Sequence, residues 1–105
     1  MTDKYILHGK EPVPCDDLFK WAEWLKSADR HVKEDEINGV RISTVFLGLD
    51  HNLARLLGRG RPHLFETMIF GGEHDMYCER SSTWDQAKIN HDRVVKMVRN
   101  LKREG

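Results

Sequence analysis

The chain has 105 residues, of which 39% are hydrophobic and 32% charged, and its 17 basic and 17 acidic side chains give a formal net charge of zero. This length predicts a single domain over residues 1–105, and the neutral total argues against a generally basic nucleic-acid-binding protein. No apolar stretch is long enough for a transmembrane helix, and the N-terminus lacks a signal-peptide pattern. The two cysteines have no CxxC spacing and form no disulfide framework. We therefore expect a cytoplasmic protein without a membrane partner.

The chain opens with a short predicted strand and an amphipathic helix. The apolar run Lys4–His8 is typical of a strand, whereas Pro12 and Pro14 predict a connector, because proline cannot donate a hydrogen bond to a strand ladder. Asp16 is a suitable N-cap for a helix over residues 17–28. The apolar residues of this helix recur at steps of three and four and therefore share one face: Leu18, Trp21, Ala22, Leu25 and Ala28.

The strongest local signal is the dipeptide Asn38-Gly39 between two strand-like segments, residues 31–37 and 40–47. Asn-Gly favours a type I′ turn, because both central residues take positive φ and match the twist of antiparallel strands. A two-residue loop sets a register that pairs Ile37 with Val40, Glu36 with Arg41, Asp35 with Ile42 and Val32 with Val45.

This register makes two predictions about side chains. Glu36 and Arg41 should form a cross-strand ion pair, with Glu34 diagonal to the same arginine. Alternate residues of the second strand should face the core: Val40, Ile42, Thr44 and Phe46.

A loop and two strands follow. Residues 50–62 contain two glycines and a proline, which are typical of a loop. Three leucines in this loop predict one helical turn: Leu53, Leu56 and Leu57. Two further strands are predicted at His63–Phe70 and Met76–Arg80.

A second amphipathic helix is predicted at the end of the chain. Ser82 and Thr83 are both suitable N-caps, and the helix should end near Lys102, with cations at its negative end. Its apolar stripe consists of Trp84, Ala87, His91, Val94, Val95, Val98 and Leu101. On this stripe, His91 is expected to be a hydrogen-bonded core or boundary residue rather than a metal ligand.

The predicted order is β-α-β-β-β-β-α, without repeats or a linker. Helices outside a meander of strands are typical of an α+β two-layer sandwich, here a mainly antiparallel sheet of four to five strands with both helices on one face. The opposite face retains apolar residues, and an exposed patch of this kind commonly marks a partner surface. Homodimerisation through this open sheet face is therefore one hypothesis.

Asp50, His51 and Glu66 are the candidates for a small enzyme or a ligand- or metal-binding protein, because carboxylates and imidazoles supply acid–base chemistry and metal ligands. No metal-ligand spacing such as HxxxH occurs around them, and no glycine-rich phosphate loop precedes a helix, so we expect neither a metal nor a cofactor. The competing interpretation is structural: Asp50 or His51 bonds the loop backbone, and Glu66 pairs with Arg41 or Arg80 on the open sheet face.

The neutral total hides an uneven distribution of charge. Residues 1–50 hold seven basic and ten acidic side chains, whereas residues 51–105 hold ten basic and seven acidic ones. Part of the basic excess lies in the predicted loop, at Arg55, Arg59 and Arg61. Arginines grouped in this way can bind phosphates, so a nucleic-acid-binding protein acting through the arginine-rich loop is an alternative.

Four long segments carry a resemblance to known sequences: YILHGKEPVPCDDLFKWAEWLKSADR (Tyr5–Arg30), STVFLGLDHN (Ser43–Asn52), LFETMIFGG (Leu64–Gly72) and ERSSTWDQAKINH (Glu79–His91). They cover nearly the whole chain and resemble a set of small, uncharacterised proteins of tailed bacteriophages and prophages. In that set the segment between the second and third phrases is usually short and rich in glycine and proline. Here it is LARLLGRGRP, residues 53–62, with three arginines and three leucines, which favours a partner specific to this chain.

The resemblance implies a small accessory protein that acts during infection. Many such proteins bind and block a host factor, including CRISPR effectors and other defence enzymes. By this analogy we expect a non-catalytic protein, rather than an enzyme, that binds a bacterial host protein in the host cytoplasm. The candidate contacts are the open sheet face, Trp24 at the edge of the first helix's apolar stripe, and the loop arginines Arg55, Arg59 and Arg61.

Overall fold

The computed structural model describes residues 2–104, with side chains through Asn100. The described residues form the strands β1 (Tyr5–His8), β2 (Glu11–Pro14), β3 (His31–Ile37), β4 (Val40–Phe46), β5 (Phe65–Phe70) and β6 (Cys78–Ser81), the helices α1 (Leu18–Ser27) and α2 (Trp84–Glu104), and a 3-10 turn at Leu53–Leu57. All strand pairs are antiparallel, in a two-stranded sheet β1-β2 and a four-stranded sheet β3-β4-β5-β6. The predicted α+β class is confirmed, with one strand more than expected.

The additional strand is β2, where the sequence predicts a connector. Pro12 pairs with Leu7 and Pro14 with Tyr5. The Cys15 N–H donates to the Lys4 carbonyl. Since alternate residues of an antiparallel strand direct their backbone N–H towards the partner, the odd-numbered residues of β2 also face β1 with their N–H groups. The backbone nitrogens of Pro12 and Pro14 therefore face away from β1. Proline is compatible with an edge strand when its missing N–H faces outward, so the prediction of a connector is wrong.

Helix α1 begins one residue later than predicted and lies at the rim of the core. Asp17, not Asp16, is the N-cap, and its Oδ1 accepts from the N–H groups of Phe19 and Lys20 at 3.1 Å each. No residue of α1 is fully buried. The helix packs against β1, and the Trp21 indole N–H donates to the Gly48 carbonyl at 2.9 Å.

The β3–β4 hairpin follows the predicted turn and most of the predicted register. Asn38 and Gly39 have φ of 50° and 86°, as a type I′ turn requires. A bulge between His31 and Lys33 places His31, and not Val32, opposite Val45, so that predicted pair is wrong. Extra residues of this kind are common near sheet edges, and β3 is an edge strand.

The ion pair of this hairpin also differs from the prediction. Arg41 pairs with the diagonal Glu34 at 2.9 Å rather than with Glu36 directly opposite. The arginine also lies over the Phe70 ring of β5, with 4.4 Å from guanidinium carbon to ring centroid. One side chain therefore covers part of the open sheet face.

The predicted boundaries of β5 and β6 shift for local reasons. The His63 N–H donates to Asp50 instead of a strand ladder, and β5 begins only at Phe65. Met76 has a φ of 73°, which is incompatible with an extended strand, so β6 begins at Cys78.

The core lies between the four-stranded sheet and α2. Ile42 and Ile69 are fully buried against three valines of the helix, Val94, Val95 and Val98. A second cluster joins the sheet to β1 and consists of Tyr5, Phe46, Leu64, Phe65 and Ala87. Fully burying one such aliphatic or aromatic side chain contributes about 1.5–3 kcal/mol. The predicted core positions Ile42, Thr44 and Phe46 are confirmed, whereas the side chain of Leu101 lies outside the described residues.

The two helices reach the core differently. Helix α2 contacts all four strands of the large sheet, whereas α1 packs mainly on β1 and meets the sheet through Trp24. The Trp24 ring contacts Phe46 edge-on, with 5.6 Å between the ring centroids. The prediction that both helices cover the sheet is therefore correct for α2 only.

The opposite face of the four-stranded sheet is a mixed surface. Val45, Met68 and Phe70 are half-buried, and the Glu66–Arg80 ion pair at 3.1 Å lies beside them. Long charged side chains thus cover part of the apolar surface that the sequence predicts there. The most exposed large hydrophobic side chains lie in α1, in the loop before β5, in the turn between β5 and β6 and on α2.

Candidate functional site

The loop between β4 and β5, which we call the leucine–arginine loop (residues 52–62), is held from within by Asp50. The Asp50 Oδ1 accepts from the N–H groups of Asn52 at 2.8 Å and His63 at 2.9 Å, one on each side of the loop. Its Oδ2 lies 3.3 Å from Arg55 Nε, and the Asp50 side chain is only 6% exposed. One carboxylate therefore closes the base of the loop.

Two further side chains order the same loop. Asn52 caps the 3-10 turn by accepting from the Ala54 N–H at 3.0 Å, and its Nδ2 donates to the Arg61 carbonyl at 2.7 Å. Arg55 donates to the Gly60 carbonyl at 3.2 Å. Because these bonds connect both arms of the loop, its backbone is fixed before any partner binds.

This fixed backbone presents three leucines to solvent. Leu53, Leu56 and Leu57 are 80%, 85% and 77% exposed. Apolar side chains that protrude together from an ordered loop are typical of a binding surface, because exposing them costs free energy that a partner can recover. The sequence predicts the helical turn here correctly, but its periodicity alone gives no sign that all three leucines face solvent.

The three arginines predicted as contacts take different positions. Arg55 is half-buried and bound to Asp50, so it serves the loop's own structure. Arg59 and Arg61 are exposed. The loop contains no acidic residue, so it presents leucines beside two arginines that no loop carboxylate neutralises.

Asp50, His51 and Glu66 do not share a site. Asp50 is occupied by the loop backbone and Arg55, while His51 Nδ1 lies 2.7 Å from the Leu49 carbonyl. Glu66 pairs with Arg80 on the open sheet face. The structural interpretation of these residues thus matches their contacts. In the described part of the chain, no group of three or more His, Cys, Asp or Glu side chains is arranged to hold a metal ion.

Trp24, the fourth predicted contact, is half-buried. Its ring is the first of four aromatic rings in contact through the core, followed by Phe46, Phe65 and Trp84, with centroid distances of 5.6, 5.3 and 6.2 Å. Packing of this kind stabilises the rim of the core. The exposed large hydrophobic side chains of α1 are Leu18 and Phe19.

His91 forms a polar network inside the core. Its ring is fully buried, with Nδ1 at 2.7 Å from Thr44 Oγ1 and Nε2 at 2.8 Å from Asp35 Oδ2. Thr44 Oγ1 also lies 2.7 Å from Thr67 Oγ1. The carboxylate–imidazole–hydroxyl order is that of a hydrolase triad, but Thr44 is fully buried and cannot meet a substrate. The network therefore fixes α2 on the sheet, and the prediction of a satisfied core histidine is confirmed.

Ion pairs hold α2 at both edges of the sheet. The Glu79 carboxylate of β6 accepts from the Arg93 guanidinium, which lowers the pKa of Glu79. At the β3 edge, Lys33 bonds Asp92 at 2.7 Å, which lowers the pKa of Asp92 and raises the pKa of Lys33. These contacts use part of the helix's positive charge inside the molecule.

Comparisons of the chain with protein-family models, with curated proteins and with solved structures find no match. Among the described residues, no helix has the length and apolar character that crossing a bilayer requires.

Proposed function

We propose that the chain is a non-catalytic binding protein that docks its leucine–arginine loop onto a bacterial protein. The observation that carries this proposal is the exposure of Leu53, Leu56 and Leu57 on a loop already ordered by Asp50. An ordered loop loses little conformational entropy on binding, so more of its contact energy becomes affinity.

The leucines can supply most of that affinity. Burying one leucine contributes about 1.5–3 kcal/mol relative to exposing it. Three leucines at this exposure therefore supply roughly 4–7 kcal/mol before the costs of association are subtracted. The matching surface is an apolar groove on a protein.

Arg59 and Arg61 add a preference for an acidic rim around that groove. Exposed charges of this kind act mainly on the association rate and on the choice of partner. Since the loop has no acidic residue of its own, carboxylates of the partner's rim are not repelled by a carboxylate of the loop.

The sequence resemblance supports a bacterial partner. If the chain acts as phage accessory proteins do, the partner belongs to the infected cell, and a defence enzyme such as a CRISPR effector is one class to examine. Binding would then take place in the bacterial cytoplasm, and inhibition would follow from covering a working surface of the partner.

Capture from a bacterial lysate, followed by a binding measurement with the purified captured protein, tests this proposal. The test variant changes Leu53, Leu56 and Leu57 to serine together, and the matched control is Ile89→Ser, because Ile89 is 59% exposed on α2. We expect the triple variant to lose the captured protein and the control to keep it.

Two results contradict the proposal. One is equal affinity of the triple variant and the native chain for the captured protein. The other is a shift of labelled duplex or single-stranded nucleic acid that weakens steeply with added salt and is lost when Arg59 and Arg61 are changed to glutamate, because the loop would then bind a nucleic acid rather than a protein.

A further inference from the structure

A polar pocket of about 470 Å³ opens beside the first two turns of α2, where the leucine–arginine loop returns towards β5. One wall comes from the chain before β5, and the other from β6 and the start of α2. Its lining includes Arg61, His63, Ser82, Thr83, Gln86 and Asn90. Each of these side chains can form hydrogen bonds, so the pocket suits a polar ligand.

Asn90 brings unused donors to this pocket. The residue is only 6% exposed, and its Oδ1 accepts from Gln86 Nε2 at 2.8 Å and from Arg93 Nη2 at 3.3 Å. Within the described part of the chain, no group accepts a hydrogen bond from its Nδ2. The fully buried side-chain atom without a partner in the described part of the chain is Trp84 Nε1 and not Asn90 Nδ2. The Nδ2 therefore reaches the surface of the pocket, where its hydrogens are available to a ligand oxygen.

The charges around the pocket leave one cation in excess. Glu79 and Arg80 also line it, but Glu79 is neutralised by Arg93, and Arg80 pairs with Glu66. Arg61 is exposed and has no carboxylate partner among the described residues. Its planar set of N–H donors suits a phosphate group, which can accept two of them at once.

The start of α2 contributes Thr83 and Gln86 to the lining of the pocket. Thr83 Oγ1 accepts from the Gln86 N–H at 3.1 Å, so this N–H is already bonded. Trp84 and Asp85 line a different pocket, and Asp85 places a carboxylate in the first helical turn. The donors that distinguish this pocket are therefore those of Arg61 and Asn90.

We propose that this pocket binds the phosphate group of a small phosphate monoester, with the Arg61 guanidinium and the Asn90 amide as its main donors. The ligand's phosphate oxygens accept from these groups and from the Ser82 hydroxyl, which also lines the pocket. The pocket is larger than a phosphate group and lies within the size range of small-molecule sites, about 300–1,000 Å³, so it has room for the rest of the molecule.

Titration with inorganic phosphate, followed by two-dimensional amide NMR of the full chain at constant pH and ionic strength, tests the site. We expect saturable shifts of the Asn90 side-chain amide and of the backbone N–H groups of Ser82, Thr83 and Gln86, which line the pocket. Sodium chloride at the same ionic strength should leave these signals in place. If phosphate moves neither the Asn90 amide nor the helix start, the proposal is overturned.

Three variants show which side chains contribute to the affinity for phosphate. Asn90→Asp keeps the oxygen that Gln86 and Arg93 bond but replaces the amide donors with a carboxylate, and Arg61→Ala removes the free cation. Each should weaken phosphate binding by about tenfold or more. The matched control Arg59→Ala removes an arginine of the same loop that does not line the pocket and should change the affinity by less than about twofold. Equal weakening by Arg59→Ala and Arg61→Ala would mean general charge attraction and would overturn the site.

Two phosphate monoesters and one control compound identify the source of the phosphate. AMP and glucose 6-phosphate should both compete with inorganic phosphate, and the tighter of the two shows whether a nucleotide or a sugar phosphate fits the remaining volume. Adenosine, which lacks the phosphate, should not compete. Competition by adenosine, or the failure of both monoesters to compete, would contradict a site built for phosphate.

Discussion

Replacing Asp50 with alanine tests the internal anchor of the leucine–arginine loop. The variant removes both carboxylate oxygens, so the N–H groups of Asn52 and His63 lose their acceptor and Arg55 loses its ion-pair partner. We expect a less stable protein and a loop whose amide hydrogens exchange faster than in the native chain.

The size of the effect follows from the lost bonds. A buried donor left without an acceptor costs about 1–3 kcal/mol. Water can reach part of this surface loop and replace part of the loss, so we expect a total of about 2–3 kcal/mol for Asp50→Ala. For a domain of this length, that loss lowers the melting temperature by about 8–20 °C.

Chemical denaturation followed by tryptophan fluorescence measures the free energy of unfolding, and hydrogen–deuterium exchange measures the protection of the His63 amide. The matched control Asp50→Asn keeps an oxygen for both N–H groups and loses only the ion pair with Arg55, so it should cost about 1 kcal/mol or less. A loss below about 0.5 kcal/mol for Asp50→Ala, or unchanged protection of the His63 amide, would refute the role assigned to this carboxylate.

Three further predictions concern the framework that carries the loop. Gly48→Ala should cost about 2–3 kcal/mol in chemical denaturation, because Gly48 has a φ of 76° and an added Cβ lies 2.8 Å from the end of the Leu25 side chain, which must shift. Gly58→Ala, at a φ of 71° with open space around it, should cost only about 1–2 kcal/mol. Equal losses for the two variants would contradict the packing part of the explanation. His91→Ala should lower the free energy of unfolding by about 2–4 kcal/mol, because it leaves a cavity and removes two buried hydrogen bonds, and a loss under about 1 kcal/mol would show that the network does not hold α2. Because the folded state lowers the pKa values of Glu79 and Asp92, the two carboxylates stabilise it above the ordinary carboxyl pKa range, and this contribution is lost as pH falls through the lowered values. The free energy of unfolding should therefore decline on acidification, and the double variant Glu79→Gln/Asp92→Asn should show a weaker dependence on pH. An equally steep pH dependence for the double variant would contradict the assignment.

Local sequence signals predict much of the fold because their physical causes are local. The Asn38-Gly39 turn sets the register of β3 and β4 near the turn, and the apolar period of α2 identifies the helix face that packs on the sheet. The strand β2 is missed because the rule that proline disrupts strands does not apply to an edge whose outer side needs no N–H donor. The bulge before Lys33 is also absent from the pattern, since no residue type there requires it.

The candidate site shows the limit of residue-type reasoning more clearly. Asp50 attracts attention as a possible catalytic group, yet the Asp50–Asn52 spacing is equally suited to loop capping, and its hydrogen bonds show that role. Leu53, Leu56 and Leu57 are apolar and at helical spacing, which normally indicates core. Their exposure follows from the conformation of the loop, which the hydrogen bond between Asp50 and the His63 N–H closes at its base. Because these two residues are thirteen positions apart, the local sequence pattern does not predict this contact.

The affinity of the captured bacterial protein for the native chain and for the Leu53→Ser/Leu56→Ser/Leu57→Ser variant, measured by calorimetry, tests most directly whether the leucine–arginine loop is the binding surface. Because three well-exposed leucines would become buried, we predict affinity lower by at least about a hundredfold for the triple variant and unchanged affinity for Ile89→Ser. The same affinity for all three proteins would contradict docking through this loop.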